Sequence, residues 1–250
     1  MTTEIELYEG ERIDRLGYQG LRIIQNPRKF KFTMDAFLLA GFIAPQPGHK
    51  ILDLGTGGGV LPLLIAGAEP VAQVVGLEIQ AELAAMAARS VALNHLENRI
   101  TVIEGDLRNP PDSLPANSFD YVISNPPFFP AGQGIVSENT ALALAKFEIA
   151  CTLEEVVKAA ARLVRAKGRV AFIYPAERLS HLLSNLEKHH LIPRRMRLIY
   201  PKPGANGNLV LLEGRPGAKG GLEVLPPLFI YDAAGEYSDE MMQIYHHNRS

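Results

Sequence analysis

The chain has 250 residues, of which 47% are hydrophobic, so it can form one large domain or one domain with appendages. The formal net charge of −2 excludes a globally basic nucleic-acid-binding protein, so any RNA contact must depend on a local patch. The single cysteine, Cys151, excludes an intrachain disulfide and a cysteine metal cage, and no apolar run approaches the ~20 residues needed to span a bilayer.

The acidic start of the chain lacks the basic-then-apolar order of a signal peptide. No spacing of histidines suits a metal ion. We therefore expect a cytoplasmic protein without a bound metal, present as a monomer or a weak dimer.

The apolar pattern predicts a small β element within residues 7–25 and a short helix from Asp35 to Ile43. From Lys50 onward, runs of strand composition alternate with helical patterns. The predicted strands are Ile51–Leu54, Gln73–Leu77, Ile100–Glu104, Phe119–Ser124, Arg169–Tyr174, Pro193–Tyr200 and Leu209–Glu213. The predicted helices are Val60–Ala68, Ala81–Asn94, Leu153–Ala166, Glu177–His189 and Ser238–Tyr245, and Leu225–Tyr231 is predicted to add an edge strand or a strap. This alternation predicts an α/β, Rossmann-like fold: a mostly parallel sheet with helices on both faces and an antiparallel final strand pair.

Residues 53–59, which we call the glycine loop, join the first strand of this sheet to its helix. Their glycines permit positive φ and allow a ligand to approach the backbone closely. The loop fails the dinucleotide spacing G-x-G-x-x-G because Val60 stands at its last place. Asp53, at the entrance, would repel a pyrophosphate and pair with an ammonium. The loop therefore predicts a ligand with a cationic amino-acid end, such as S-adenosylmethionine.

Further carboxylates follow the next two predicted strands. Glu78 can accept both hydroxyls of a ribose. Asp106 can accept a hydrogen bond from the adenine amino group, and Leu107 can line the ring. Three acids at successive strand ends, together with the glycine loop, predict an S-adenosylmethionine site. The predicted donor-binding residues are Asp35, Asp53, Gly55, Thr56, Gly57, Glu78, Ile79, Asp106, Leu107 and Asn125.

A polar segment rich in proline and aromatic residues, residues 124–129, follows the predicted strand Phe119–Ser124. Its prolines remove two backbone donors and fix an extended path. The Asn125 side chain and the Pro126 carbonyl are then free to accept from a planar –NH2 group. Phe128 offers a face for stacking a ring. The predicted catalytic residues are Asn125, Pro126, Pro127 and Phe128, and the target is a nucleobase amine or a side-chain amide.

Two basic segments are candidates for contact with RNA phosphates. The first comprises Arg28, Lys29 and Lys31. The second is a window without acidic residues that comprises Lys188, His189, His190, Arg194, Arg195, Arg197 and Lys202. Either segment can equally be an ordinary solvated face.

The order of the glycine loop, Glu78, Gly105-Asp106 and Asn125-Pro126-Pro127-Phe128 resembles the class I methyltransferases that modify exocyclic amines. The resemblance is strongest to the tRNA1(Val) (adenine(37)-N(6))-methyltransferase family. It extends over most of the chain, through the further segments Phe30–Leu39, Glu148–Val156 and Leu225–Leu228.

The resemblance implies a seven-stranded methyltransferase sheet, S-adenosylmethionine as cofactor and an RNA partner, with tRNA favoured. It also implies that Asp53, Gly55, Glu78 and Asp106 surround the methyl donor. We expect an N-terminal segment over residues 1–34, a methyltransferase domain over residues 35–213, and a C-terminal extension over residues 214–250 packed on that domain.

Two positions depart from the family pattern. Phe128 stands where the family usually has Tyr, and Ala145-Lys146 stands where Arg and His are expected before Glu148. Because Phe also occurs in amine methyltransferases of ribosomal RNA, the sequence leaves the target base open. The alternatives are a ribosomal RNA base-amine methyltransferase, a protein-glutamine methyltransferase, and a non-catalytic RNA-binding protein with the methyltransferase fold.

Overall fold

Strands and helices alternate along most of the chain. The structure, a computed structural model, describes residues 5–17, 19–27, 33–67, 73–126 and 151–246. Its elements in chain order are β1 (Arg12–Arg15), β2 (Arg22–Gln25), α1 (Asp35–Phe42), β3 (Lys50–Leu54), α2 (Val60–Gly67), β4 (Gln73–Glu78), α3 (Ala81–Leu93), β5 (Ile100–Glu104), β6 (Phe119–Ser124), α4 (Leu153–Leu163), β7 (Val164–Pro175), α5 (Leu179–Lys188), β8 (Leu191–Tyr200), β9 (Leu209–Pro216), β10 (Glu223–Val224), β11 (Leu228–Phe229) and α6 (Asp239–His246).

One sheet carries the strands in the order β10-β8-β9-β7-β6-β3-β4-β5, and β11 also pairs with β8. The strands β5, β4, β3, β6 and β7 are parallel, and β9 runs antiparallel between β7 and β8. The prediction of a mostly parallel sheet with an antiparallel final pair is therefore confirmed. Since β8 is parallel to β7, the strands β3 to β8 all end at one edge, which we call the carboxyl edge. Ligands of such sheets bind at this edge.

The two faces of the sheet bury separate apolar clusters because side chains alternate along each strand. One cluster contains Ile51 and Ile123 and is covered by α1 and α2. The other contains Leu52, Val122 and Phe172 and is covered by α4 and α5. This double cover explains why the central strands read as nearly continuous apolar runs.

The helix α4 ends earlier than the sequence pattern predicts. It was expected to continue to Ala166 but ends at Leu163, and β7 begins at once, with Val164 paired to Phe119 of β6. Gly168 permits this close approach, because a Cβ there would lie 2.9 Å from the backbone oxygen of Phe119. Sheet pairing therefore overrides the local helical preference.

The terminal segments pack on the helices that flank the sheet. In the N-terminal hairpin of β1 and β2, the Ile24 amide donates to Ser90 Oγ of α3 at 3.0 Å. The C-terminal helix α6 contacts α1 and is capped by Ser238, whose hydroxyl accepts from the Met241 amide at 3.1 Å. The predicted Ser238 cap is confirmed, while the division at residues 34 and 213 stays a prediction. None of the helices within the described ranges is both long and apolar enough to cross a membrane.

Candidate active site

The glycine loop turns sharply at the end of β3, beside the end of β4. The amides of Gly55 and Thr56 both donate to the Leu77 carbonyl, at 2.9 and 3.0 Å. Gly55, Gly57 and Gly59 adopt φ values of +76°, +55° and +82°. Residues other than glycine rarely adopt positive φ, which is why the sequence has glycine at these three positions.

Glu78 fixes the loop from the neighbouring strand. Its carboxylate accepts from the Gly57 amide and from the Gln80 amide, each at 2.9 Å. Burial raises the pKa of Glu78, and these hydrogen bonds oppose the shift. A carboxylate has about four acceptor positions, so lone pairs remain for ribose hydroxyls.

Asp53 is the most unusual group near the loop. It is 1% exposed, and neither its carboxylate oxygens nor Thr56 Oγ1 has a hydrogen-bond partner among the described residues. Burial raises the pKa of Asp53 to about 7; the Thr56 hydroxyl opposes this shift without reaching hydrogen-bond geometry, and the charge of Glu78 adds to it. Such a buried acid is stabilised by a cationic partner, so this residue fits the ammonium end of the expected methyl donor.

A cleft opens at the carboxyl edge beside the glycine loop. Its described lining is Gly55, Leu77, Glu78, Ile79, Gly105, Asp106, Leu107 and Cys151. The apolar residues of this lining come from three segments, residues 77–79, residues 105–107 and Cys151, and they share the cleft with the carboxylate of Glu78. Such a lining suits a flat ring joined to a hydroxylated sugar.

Asp106 forms an ion pair with Arg108, whose Nη2 lies 2.6 Å from Oδ2, while Nε contacts both carboxylate oxygens. The hydrogen bond from Arg108 holds the pKa of Asp106 below its usual range. An adenine amino group would therefore share this carboxylate with the guanidinium, and it would meet an acceptor that is ionised at neutral pH.

The structure brings many of the predicted donor-binding residues together. Five of them line the cleft: Gly55, Glu78, Ile79, Asp106 and Leu107. Asp53, Thr56 and Gly57 lie within two residues of Gly55 in the chain. Asp35 begins α1 and is not among the described lining residues, and burial raises its pKa.

Sequence reasoning did not assign Leu77, Gly105 or Cys151 to the site. Leu77 is the penultimate residue of β4 and Gly105 directly follows β5, and both are next to predicted residues, so their positions could have been inferred. Cys151 lies more than 40 residues beyond the other lining residues and reaches the cleft only through the tertiary fold.

Asn125 directly follows β6, the strand beside β3. Ile123 is in register with Asp53, and Ser124 Oγ donates to the Leu54 carbonyl at 2.7 Å. Asn125 is therefore one residue beyond a fixed contact between β6 and the start of the glycine loop. It is partly buried and Pro126 is buried. The other two predicted catalytic residues and the first basic segment lie outside the described residues: Pro127, Phe128, Arg28, Lys29 and Lys31.

The second basic segment does not form one free surface. Arg195 lies 3.4 Å from the buried carboxylate of Glu213, and Arg197 forms a bidentate pair with Glu240 at 2.6 and 2.8 Å. Their roles in binding RNA stay a prediction, as does that of Arg194. Lys202 is exposed. Within the described part of the chain, no group of three or more His, Cys, Asp or Glu side chains could hold a metal ion.

Gly76 of β4 lies behind the loop, and the substitution Gly76→Ala tests this contact. An added Cβ would lie 2.8 Å from the Thr56 side chain, so we expect a loss of about 1–3 kcal/mol in the free energy of unfolding. We also expect weaker binding of S-adenosylmethionine, because Thr56 must move. Urea denaturation and calorimetry measure the two effects. The control is Gly221→Ala, where a Cβ meets no described atom within 4 Å; equal effects in both variants would contradict the prediction.

Comparisons with known proteins agree with this geometry. The sequence profile of the methyltransferase small domain family matches residues 34–185. The tRNA1(Val) (adenine(37)-N6)-methyltransferase of Porphyromonas gingivalis (strain W83) is 31% identical over 240 residues, which cover 92% of this chain and 93% of the relative.

Solved structures show the same fold. The crystal structure of a predicted O-methyltransferase from Agrobacterium tumefaciens has a TM-score of 0.69 at 23% identity and covers 84% of this chain and 95% of its own. The geranyl diphosphate C-methyltransferase of Streptomyces coelicolor, in complex with Mg²⁺, geranyl diphosphate and S-adenosyl-L-homocysteine, has a TM-score of 0.52 at 13% identity and covers 72% and 76%. The chain is therefore a class I, S-adenosylmethionine-dependent methyltransferase that belongs to the methyltransferase small domain family and to the family of the tRNA1(Val) (adenine(37)-N6)-methyltransferases.

Proposed function

We propose that this methyltransferase acts on the exocyclic amino group of an adenine in tRNA. The observation that carries the proposal is the position of Asn125 and Pro126 at the end of β6. The hydrogen bond from Ser124 to Leu54 ties this point to the strand that opens the glycine loop. The relative from Porphyromonas gingivalis is a tRNA adenine-N6-methyltransferase, which supports adenine in tRNA as the target. A protein that modifies tRNA would act in the cytoplasm.

The donor, when bound, supplies an electrophilic methyl group on a sulfonium. Asp53 would hold the ammonium end, Glu78 the ribose hydroxyls, and Asp106 with Leu107 the adenine ring. The buried carboxylate of Asp53, which has no hydrogen-bond partner in the described part of the chain, supports this assignment. The ammonium group of the bound donor would pair with this carboxylate and offset the cost of burying its charge in the apolar interior.

The acceptor amine is a weak nucleophile, because its lone pair is delocalised into the ring. The Asn125 side-chain oxygen and the Pro126 carbonyl would each accept one of its N–H groups. Two such bonds favour a pyramidal nitrogen and direct its lone pair toward the cleft. The new N–C bond would form as the bond from the donor sulfur to its methyl group breaks, which leaves a neutral thioether. The amine proton becomes acidic once the nitrogen is alkylated and would pass to water, so no strong base is needed. Catalysis would depend mainly on positioning in a site that excludes water.

The test is transfer of a tritium-labelled methyl group from S-adenosylmethionine to total tRNA, ribosomal RNA and purified release factor. We expect label in tRNA, recovered as N6-methyladenosine after nuclease digestion and mass mapping. Label in ribosomal RNA alone or in release factor alone would replace the proposed substrate with one of the two alternatives. Absence of transfer to all three, with normal binding of the donor, would contradict the proposal.

A further inference from the structure

Four aromatic rings form a continuous stack, which we call the aromatic ladder: Phe37, Tyr245, Tyr237 and Tyr231. Successive ring centroids lie 5.0, 6.4 and 5.2 Å apart, with interplanar angles of 27°, 17° and 12°. Phe37 is only 3% exposed, whereas Tyr237 and Tyr231 are 37% and 38% exposed. The ladder therefore begins in the core, at Phe37 of α1, and ends at rings that are exposed to solvent.

The exposed end of the ladder lies at the carboxyl edge of the sheet. β11 is parallel to β8, with Phe229 opposite Tyr200 at the end of that strand. The amide of Tyr231 then donates to the Pro201 carbonyl at 2.8 Å, directly beyond β8.

The donor cleft occupies the ends of β3, β4 and β5, and Asn125 follows β6. The remaining strand ends at this edge are those of β7 and β8, so an acceptor that extends from Asn125 along the edge, away from the donor cleft, would pass over them. The aromatic ladder emerges on that side.

The outer rings are fixed before any ligand arrives. Asp232 Oδ1 accepts from the amides of Ala234 and Glu236, at 2.8 and 3.0 Å, which closes a tight turn between the two tyrosines. The Ser238 amide donates to the Ile230 carbonyl at 3.0 Å. A rigid ring loses little conformational entropy when a ligand stacks on it.

The charges around the outer rings favour the faces of bases over a close phosphate. Asp232 is held in the turn, and Glu240 is paired with Arg197. Glu236 is exposed beside Tyr237 and would repel a phosphate placed directly against that ring. Lys202 is exposed next to Pro201 and can meet the backbone of a strand that passes over Tyr231. Flat aromatic faces with a cation to one side are typical of surfaces that bind unpaired nucleotides.

We propose that the outer face of Tyr231, with the ring of Tyr237 stacked behind it, stacks on an unpaired base of the RNA substrate that flanks the target adenine. This inference rests on the proposed function and adds a substrate-binding surface to it. Stacking on an aromatic side chain does not depend on base identity, because every base has a π face. The surface would hold the loop that carries the target, while Asn125 selects the amine.

The test uses the variants Tyr231→Leu and Tyr237→Leu, with Tyr231→Phe and Tyr237→Phe as matched controls. Leucine keeps an apolar side chain but removes the aromatic face, while phenylalanine keeps that face. A further control is Tyr8→Leu, which removes a ring that is 54% exposed and stacks under Arg89 instead. The substrate is an RNA stem-loop with the target adenine in its loop and 2-aminopurine beside it. KM for this RNA, the Kd for S-adenosylmethionine and the thermal midpoint are measured for each variant.

We expect KM for the RNA to rise roughly tenfold in Tyr231→Leu and by a smaller factor in Tyr237→Leu, which loses only the ring behind Tyr231, with unchanged donor Kd and near-normal values in the three controls. We also expect the 2-aminopurine fluorescence to be quenched by the wild-type protein and less quenched by the leucine variants. If a leucine variant does not fold, quenching of 2-aminopurine by the wild-type protein still tests the stacking surface, because a 2-aminopurine that stays unstacked is not quenched.

The two proposals fail in different ways. Normal methylation of the RNA without quenching, or with unchanged KM in folded leucine variants, would overturn the stacking surface alone. Failure of the wild-type protein to methylate any RNA would overturn the proposed function, and the stacking surface would fall with it.

Discussion

Asn125→Ala is expected to lower kcat for RNA methylation by a factor of about 10² to 10³ while the Kd for S-adenosylmethionine stays within about twofold. The reason is that the amide oxygen would contact only the acceptor amine. Its removal leaves that amine without one of its two fixed acceptors, so its lone pair is no longer directed. The glycine loop, Glu78 and Asp106 are unchanged in this variant.

Single-turnover kinetics with saturating RNA measure the chemical step, and calorimetry measures donor binding. Asn206→Ala is the matched control, because Asn206 is exposed in the connection between β8 and β9. Near-normal turnover in the Asn125 variant would contradict the mechanism. A large loss of donor affinity would instead assign Asn125 mainly to the donor site, where the sequence also placed it.

Asp53→Asn is expected to stabilise the protein without ligand and to weaken the binding of S-adenosylmethionine. The pKa of Asp53 is raised from 3.8 to about 7, so its ionised form is disfavoured in the folded protein. At pH 8 this opposes folding by up to about 4 kcal/mol, and asparagine removes the charge. The same charge is the counter-ion of the donor ammonium, so its loss is expected to raise Kd at least tenfold.

The dependence on pH provides a second test of Asp53. Between about pH 4 and pH 7 the folded state holds a proton that the unfolded state has already lost, so the stability of the wild-type protein falls as pH rises through this window. Donor affinity is expected to change in the opposite direction, weakening toward tenfold per pH unit below about 7. Both slopes should be reduced in Asp53→Asn, where a residual slope in stability comes from Glu78 and Asp35, whose pKa values burial also raises. Both slopes should be unchanged in the control Asp112→Asn, whose side chain is exposed. Identical profiles for wild type and Asp53→Asn would contradict the assignment.

Sequence patterns predicted the parts of this protein whose chemistry is local. The glycine loop needs positive φ, and Glu78 and Asp106 follow apolar strands, so residue type and order identify the donor side. The boundary of α4 could not be obtained this way, because Val164 is drawn into the sheet by its pairing with Phe119.

Long-range ion pairs also explain why the surroundings of the basic residues could not be predicted from the sequence. A window without acids suggested an open cationic face for Arg195 and Arg197. Their partners, Glu213 and Glu240, come from later parts of the chain and become visible only in three dimensions. The same holds for the aromatic ladder, whose rings are spread over more than 200 residues of sequence.

The hydrogen bond from the Gly57 amide to Glu78 couples binding of the methyl donor to the conformation of the glycine loop. The carboxylate that would receive the sugar also closes the loop, so each event must favour the other by the same free energy. Hydrogen exchange at the Gly57 amide should consequently slow when the product S-adenosylhomocysteine binds, even though that amide bonds to protein rather than to ligand. Binding of the methyl donor would thus stabilise the backbone conformation of the glycine loop.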